Sequence, residues 1–181
     1  MDARTLEHRS AEIEIRAKGR RLEGYAALFG VRASIADFEE EIRQGAFSTH
    51  LASGLDTLAL VDHDPTRLLA RTRSKTLRLS QDSRGLSFDL DVPDTTEGRD
   101  ILALAERGDL GGMSFGFNVL PGGESRANRV RVLESVRLHE ISIVQAFPAY
   151  DGTEINARSV APLRARRMTL RMARLHLESL L

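Results

Sequence analysis

Three stretches of the chain carry side chains that could move a proton or form a covalent bond. The first centres on His63, which follows the compact apolar run Leu-Ala-Leu-Val and lies between Asp62 and Asp64. Strand ends and loops on a rigid sheet often carry catalytic groups, and an imidazole can accept and return a proton near neutral pH. His63 is therefore a candidate general base. The alternative is a surface-loop histidine that is hydrogen-bonded to a neighbouring aspartate.

The second stretch is the glycine-flanked segment of residues 111–119, which contains Ser114. A serine hydroxyl is a weak nucleophile that needs a base to take its proton, and nearby glycines let backbone and substrate approach closely. The context is strand-like, unlike the strand-to-helix elbow of Gly-x-Ser-x-Gly hydrolases. Ser114 is a candidate nucleophile, or else an ordinary serine on a strand whose phenylalanines fill the core.

The third stretch is residues 138–144, Leu-His-Glu-Ile-Ser-Ile-Val, which predicts a strand. Because side chains alternate on a strand, His139 and Glu140 point to opposite faces, and only one of them can orient His63. A buried glutamate would hold the imidazole tautomer and stabilise the imidazolium. An ordinary half-buried strand with one polar side remains the alternative.

Metal ligation is a competing use for these side chains. The candidate ligands are Asp62, His63, Asp64, His139 and Glu140. No His-Glu-x-x-His pattern occurs, and His8 and His50 have no partner at a metal-binding spacing. The phosphate-binding pattern Gly-x-x-x-x-Gly-Lys-Ser/Thr is also missing, which argues against an ATPase or kinase. We expect no metal and no cofactor.

The composition is that of an ordinary globular protein. The 181 residues are 41% hydrophobic and 29% charged, with 26 basic and 26 acidic side chains and no cysteine. Zero net charge gives no general basic surface, so no direct nucleic-acid role is expected. No apolar run approaches the roughly 20 residues of a membrane span, and the polar N-terminus does not resemble a secretory signal. We expect no membrane role and a cytoplasmic location.

The charge is unevenly distributed along the chain. Six arginines and no acid lie between residues 158 and 174, namely Arg158, Arg164, Arg166, Arg167, Arg171 and Arg174. This asymmetry predicts a domain over residues 1–157 and an arginine-rich, helical C-terminal tail over residues 158–181.

The elements that must position these side chains are mostly strands. Apolar alternation and turn residues predict a strand pair turning near residues 18–19, a buried strand at 58–61, a hairpin over 76–92, and strands at 111–119, 130–133 and 138–144. Helices are predicted at 46–53 and from about 96 to 107, each ending before a glycine. About seven or eight strands against two or three helices indicate an α+β, mainly β fold, with an antiparallel barrel or bent sheet.

Several segments, taken in order, resemble the prohead proteases of tailed bacteriophages in the Hong Kong phage lineage. The similar segments are residues 24–29 (GYAALF), 41–47 (EIRQGAF), 60–64 (LVDHD), 112–117 (GMSFGF), 138–144 (LHEISIV) and 148–150 (PAY). The similarity of each segment alone is weak evidence for the family, but the whole set, in this order over about residues 12–157, is specific to it.

The resemblance implies a fold like that of the herpesvirus assembly proteases, a bent antiparallel β-barrel surrounded by a few helices. It implies a serine endopeptidase with Ser114 as nucleophile, His63 as base and Glu140 as third member. The herpesvirus enzymes use a second histidine there, which makes His139 the alternative. Backbone amides near Ser114 or after Val144 are candidate oxyanion donors.

The resemblance further implies the partners. The substrates would be the scaffold, or the N-terminal scaffold-like part of the major capsid protein, and the enzyme itself, inside an immature capsid in a bacterial cytoplasm. A homodimer is expected from the herpesvirus similarity alone. The basic tail would guide the enzyme into the particle or pack on the domain as a solvated helix. Other hypotheses are an inactive capsid- or scaffold-binding protein and a metal-dependent hydrolase.

Overall fold

The computed structural model describes residues 6–11, 15–35 and 37–146, and this part of the chain is mainly β. The strands are β1 (Glu7–Ala11), β2 (Ile15–Lys18), β3 (Arg21–Leu28), β4 (Arg32–Ile35), β5 (Phe38–Ile42), β6 (Leu58–Val61), β7 (Asp64–Arg71), β8 (Leu77–Gln81), β9 (Gly85–Asp91), β10 (Gly112–Val119), β11 (Glu124–Ala127), β12 (Val130–Leu133) and β13 (Val136–Val144). Two helices accompany them, α1 (Ser48–Ser53) and α2 (Thr96–Arg107). The mainly β prediction is therefore confirmed, with more strands than expected.

A five-stranded sheet with the order β1-β10-β13-β6-β7 carries the three stretches that could do chemistry. Strand β10 bears Ser114, β13 bears His139 and Glu140, and the turn between β6 and β7 bears His63. Strand β13 pairs with β10 on one side and with β6 on the other. Segments far apart in sequence thus meet on one sheet.

The other strands form two four-stranded sheets. Their orders are β11-β12-β5-β4 and β2-β3-β9-β8. The predicted hairpin over residues 76–92 is confirmed as β8 and β9, and the predicted first strand pair as β2 and β3. One continuous core joins the sheets, with fully buried Leu22, Phe47, Phe117 and Ile141 among its side chains. Burying a side chain of this size contributes roughly 1.5–3 kcal/mol.

The predicted antiparallel pairing is found for most of the strand pairs, but it is wrong for two of them. Strand β13 pairs with β6 in parallel, and β12 pairs with β5 in parallel. Parallel neighbours require a long crossover between them. The chain supplies it in both cases, because residues 62–135 lie between β6 and β13 and residues 43–129 lie between β5 and β12.

The two helices predicted within residues 1–157 are confirmed, and each ends before a glycine as expected. Helix α1 ends at Gly54, whose φ of 65° is left-handed. Helix α2 begins after Thr95, whose hydroxyl accepts a hydrogen bond from the Gly98 amide, and ends at Gly108 with φ 73°. Such caps satisfy backbone groups that the helix itself leaves unpaired.

A closed barrel is not found among the described residues, so the barrel stays a prediction. The domain boundary near residue 157 and the C-terminal helix fall outside the described residues. Neither helix described here is long and apolar enough to cross a membrane.

Candidate active site

His63 lies in a two-residue turn that joins β6 to β7. Asp62 and His63 have φ values of 50° and 61°. A two-residue hairpin with a type I′ turn requires such positive φ values at both of its central residues. Non-glycine residues adopt this region infrequently. The predicted loop is therefore a tight hairpin, and β7 continues through Pro65, which its position at the edge of the sheet permits.

The carboxylates of the two aspartates beside His63 bind groups of the turn and of neighbouring segments. The Asp62 carboxylate accepts from the backbone N–H of Gln145 at 2.9 Å and from Arg67 Nη1 at 2.9 Å. The Asp64 carboxylate accepts from the Thr66 hydroxyl at 2.6 Å and from its amide at 2.8 Å. These bonds to Thr66 lower the pKa of Asp64. The aspartates thus fix the backbone that presents the imidazole.

Glu140 is the group that contacts the His63 ring. Its Oε1 lies 2.8 Å from His63 Nδ1, and its side chain is 8% exposed. Ser142 donates to Glu140 Oε2 at 2.5 Å, and the His63 amide donates to Ser142 Oγ at 3.2 Å. The three residues close a ring of hydrogen bonds that fixes both the turn and the carboxylate.

This arrangement determines which imidazole nitrogen is available for chemistry. An ionised carboxylate can only accept hydrogen bonds, so Nδ1 carries a proton toward Glu140. In the neutral ring Nε2 then keeps its lone pair and can act as a base. When Nε2 takes a proton, the resulting imidazolium lies against the carboxylate, which stabilises it.

Ser114 lies on the same face of the sheet as Glu140 and Ser142. Ser114 pairs with Ser142 across β10 and β13, and Gly116 pairs with Glu140; paired residues and residues two apart share a face. The serine is fully buried. Its hydroxyl donates to the backbone carbonyl of Arg9 in β1 at 2.9 Å.

His139 has a different environment from Glu140. His139 and Glu140 are successive residues of β13, so their side chains point to opposite faces of the sheet. The Nε2 atom of His139 lies 2.5 Å from Asn118 Oδ1. Burial lowers the pKa of His139, and the nearby Arg137 guanidinium lowers it further. Of the two candidates for the third position, Glu140 is the one in contact with His63.

His8 is a neighbour of the site that the sequence did not reveal. Its ring centroid lies 4.3 Å from that of His63, and its Nε2 is 3.6 Å from Glu140 Oε1. Partial burial lowers the pKa of His8, and the adjacent His63 ring adds to this effect. The His8 side chain fits because residue 116 is a glycine. A Cβ at this position would lie 3.1 Å from the His8 ring. No motif or spacing in the sequence marks His8.

His8, His63 and Glu140 are also the described residues that could hold a cation. Their ligand atoms all lie within 4.8 Å of one another. Two imidazoles and a carboxylate are suitable ligands for a transition metal. Asp62, Asp64 and His139, which the sequence offered as further ligands, are not members of this group.

Comparison with known proteins identifies the family. The sequence model of the caudovirus prohead serine proteases matches residues 4–166, which is most of the chain. No curated protein and no solved structure gave a match. The matched range includes all of the segments described above, from β1 to β13. The chain therefore belongs to the caudovirus prohead serine protease family, whose members are peptidases of phage capsid maturation.

Proposed function

We propose that this chain is a serine endopeptidase with Ser114 as nucleophile and His63 as general base. Glu140 is the residue that orients the His63 ring and stabilises its protonated form. The observation that carries the proposal is the 2.8 Å contact between His63 Nδ1 and Glu140 Oε1, made on the sheet face that also bears Ser114. A buried acid on Nδ1 and a free Nε2 are what general-base activation of a hydroxyl needs.

The reaction would run in two halves. Ser114 Oγ attacks the carbonyl carbon of the peptide bond and gives its proton to His63 Nε2. Collapse of the tetrahedral intermediate breaks the C–N bond, and the leaving amine takes that proton. Water then attacks the acyl ester, His63 accepts its proton, and the proton returns to Ser114 as the acid product leaves. Backbone amides near Ser114 or after Val144 would donate to the oxyanion.

The proposed substrates follow from the family. They are the scaffold, or the N-terminal scaffold-like part of the major capsid protein, and the enzyme itself. Cleavage would take place inside the immature capsid, in the cytoplasm of the bacterial host. The proposal further includes a homodimer and the arginine-rich segment 158–181 as a guide into the particle. Deletion of that segment with unchanged incorporation into particles would remove the targeting role.

Co-expression with the major capsid protein of the same genome tests the activity. The wild-type chain should shorten the capsid protein, and Ser114→Ala should leave it intact, with a loss of at least about a thousandfold in rate. Ser80→Ala is the matched control, because the Ser80 hydroxyl lies at the surface and bonds Ser87. Unchanged processing in Ser114→Ala eliminates the serine mechanism. An intact capsid protein with every variant favours an inactive assembly protein.

The cluster of His8, His63 and Glu140 gives a second candidate, a metal-dependent hydrolase. The two candidates differ in their response to a chelator. A serine mechanism keeps its rate in EDTA and loses it in Ser114→Ala, whereas a metal mechanism loses its rate in EDTA and recovers it on addition of Zn²⁺ or Mn²⁺.

A further inference from the structure

Strand β1 covers the residue that the proposed function needs exposed. A nucleophilic serine must be reached by a peptide carbonyl, yet Ser114 is fully buried. A hydroxyl has one hydrogen to donate, and Ser114 donates it to the carbonyl of Arg9. As long as β1 lies on β10, that hydrogen is not directed to His63, and no other peptide can reach the serine.

Strand β1 is also positioned as a bound peptide would be. It is an edge strand, antiparallel to β10, with Arg9 opposite Phe115 and Ser10 opposite Ser114. Peptides commonly bind by adding a strand to a sheet edge, where backbone bonds give affinity and alternate side chains give specificity. The carbonyl that contacts Ser114 belongs to Arg9, immediately before the Arg9–Ser10 bond.

The side chain of Arg9 lies in a site with a matching charge. Its Nε and Nη2 donate to the two carboxylate oxygens of Glu40 at 2.6 and 2.9 Å. Glu40 is 4% exposed, and the guanidinium carbon lies 5.4 Å from the centre of the Phe117 ring. A bidentate pair with a buried carboxylate beside an aromatic face selects arginine over a neutral side chain.

Glu7, two residues earlier, has an equivalent partner. Arg131, which is 6% exposed, donates to the two Glu7 oxygens at 2.6 and 2.8 Å. Arg131 also bonds Glu40 at 3.0 Å, so Glu40 and Arg131 remain paired with each other when β1 is absent. Between Glu7 and Arg9, the His8 ring packs against His63 on the opposite face.

Little apolar burial holds β1 in place. Its sequence is Glu-His-Arg-Ser-Ala, and the preceding Leu6 is 45% exposed. Its attachment rests on polar contacts: the backbone ladder with β10, the ion pairs of Glu7 and Arg9, and the hydrogen bond from Ser114 to the Arg9 carbonyl. The His8 ring adds its packing on His63. Another peptide of similar sequence could supply each of these contacts. An exchange of β1 for a substrate therefore costs little in buried apolar area.

We propose that β1 occupies the substrate-binding edge of this protease, and that the substrate is an extended peptide with an acid-x-base pattern directly before the bond that is cut. We call the edge of β10 from Met113 to Phe117, together with Glu40 and Arg131, the docking edge. This inference rests on the proposed function for the cleavage itself, but the docking can be measured without cleavage.

The docking test uses the full-length Ser114→Ala chain and a fluorescein-labelled hexapeptide with the sequence of residues 6–11. Glu7→Ala and Arg9→Ala, added together, weaken β1 and leave the docking edge intact. They should tighten peptide binding, measured by fluorescence anisotropy, at least about tenfold. A peptide whose Glu and Arg are exchanged is the matched control and should bind at least about tenfold more weakly.

Peptide variants keep the test valid even where a protein variant fails to fold. In the Ser114→Ala chain with native β1, the hexapeptide and its exchanged form must still differ in affinity. Equal affinity of the two peptides, or no change in affinity on weakening β1, overturns the proposal.

Cleavage then separates this inference from the proposed function. The chain with Ser114 intact should cut the hexapeptide after arginine at least about thirtyfold faster than a form with glutamine there, and Glu40→Gln should reduce this ratio. Cleavage of the two peptides at equal rates refutes the proposed sequence preference but is consistent with the proposed protease function. Sequence-specific binding of the hexapeptide without any cleavage refutes the proposed protease function but supports the docking edge as a peptide-binding site.

Discussion

Replacing Glu140 by glutamine keeps the shape of the side chain and removes its charge. Two donors face the carboxylate, His63 Nδ1 and the Ser142 hydroxyl. A glutamine amide has one oxygen to accept and an NH₂ that only donates. If the oxygen serves His63, Ser142 loses its acceptor. If the oxygen serves Ser142, the NH₂ faces Nδ1 and forces the proton to Nε2, which abolishes the base.

The loss of charge sets the size of the effect. At an effective dielectric constant of about 20 and a charge separation of about 4 Å, a carboxylate stabilises an imidazolium by about 4 kcal/mol. That amount corresponds to about a thousandfold in rate. We therefore expect kcat/KM of Glu140→Gln to fall about a thousandfold, mainly through kcat, because the imidazolium forms only during the reaction.

The assay is cleavage of the co-purified capsid protein under single-turnover conditions, with thermal unfolding to show that the fold persists. His139→Gln is the matched control, since His139 is the adjacent residue and bonds Asn118 on the other face of β13. It should retain activity within about threefold. A Glu140→Gln enzyme of near wild-type rate, or an equal loss in His139→Gln, refutes the assignment of Glu140.

Three further substitutions test other parts of the site and fold. Ser142→Ala removes the hydroxyl that joins the His63 amide to Glu140, so kcat should fall about tenfold with KM unchanged; a change in KM alone would contradict a positioning role. Gly116→Ala adds a Cβ 2.6 Å from Glu140 Oε1; we expect a lower melting temperature and at least a tenfold lower rate, and wild-type values for both would show that the site has room. Asp56→Asn removes the partner of Arg71, whose hydrogen bond lowers the pKa of Asp56 from 3.8 to about 2. Because the folded-state pKa lies below the unfolded one, the ionised carboxylate stabilises the fold above the unfolded pKa, and this stabilisation is lost as the pH falls through the folded pKa of about 2. Urea unfolding should therefore show the variant about 1 kcal/mol less stable than wild type at pH 7, with a difference that shrinks as the pH falls from about 4 to about 2; a difference as large at pH 2 as at pH 7 would exclude an ionic origin.

Elements with apolar alternation or capping residues could be predicted from the sequence. The hairpin of β8 and β9 alternates strictly, and α2 has Thr95 and Gly108 at its ends. Each of these signals is local, because it depends on the side chains and caps of the element itself.

Strands that are stabilised by ion pairs could not be predicted from the sequence, for a physical reason. Strand β5 has the sequence Phe-Glu-Glu-Glu-Ile and β1 the sequence Glu-His-Arg-Ser-Ala, and neither shows an apolar face. Their polar side chains are paired by other strands, as Arg131 does for Glu40 and Glu7. Such pairing depends on segments far away in the chain, which no periodicity reports.

The same distinction holds for the site. The types of Ser114, His63 and Glu140 and the opposite directions of His139 and Glu140 could be read from the sequence. The contact between His63 and Glu140 depends on the parallel register of β13 on β6. The contact of His8 depends on the pairing of β1 with β10. Register between distant strands is a tertiary property, so these contacts had to come from the structure.

The parallel pairing of β13 with β6 has a kinetic consequence. The last described strand must insert between β10 and a strand formed from the first half of the chain. Contacts of such large sequence separation give a high contact order, and domains dominated by them fold on the millisecond-to-second scale. A chain released from the ribosome therefore lacks the contact between His63 and Glu140 until β13 has inserted between β10 and β6.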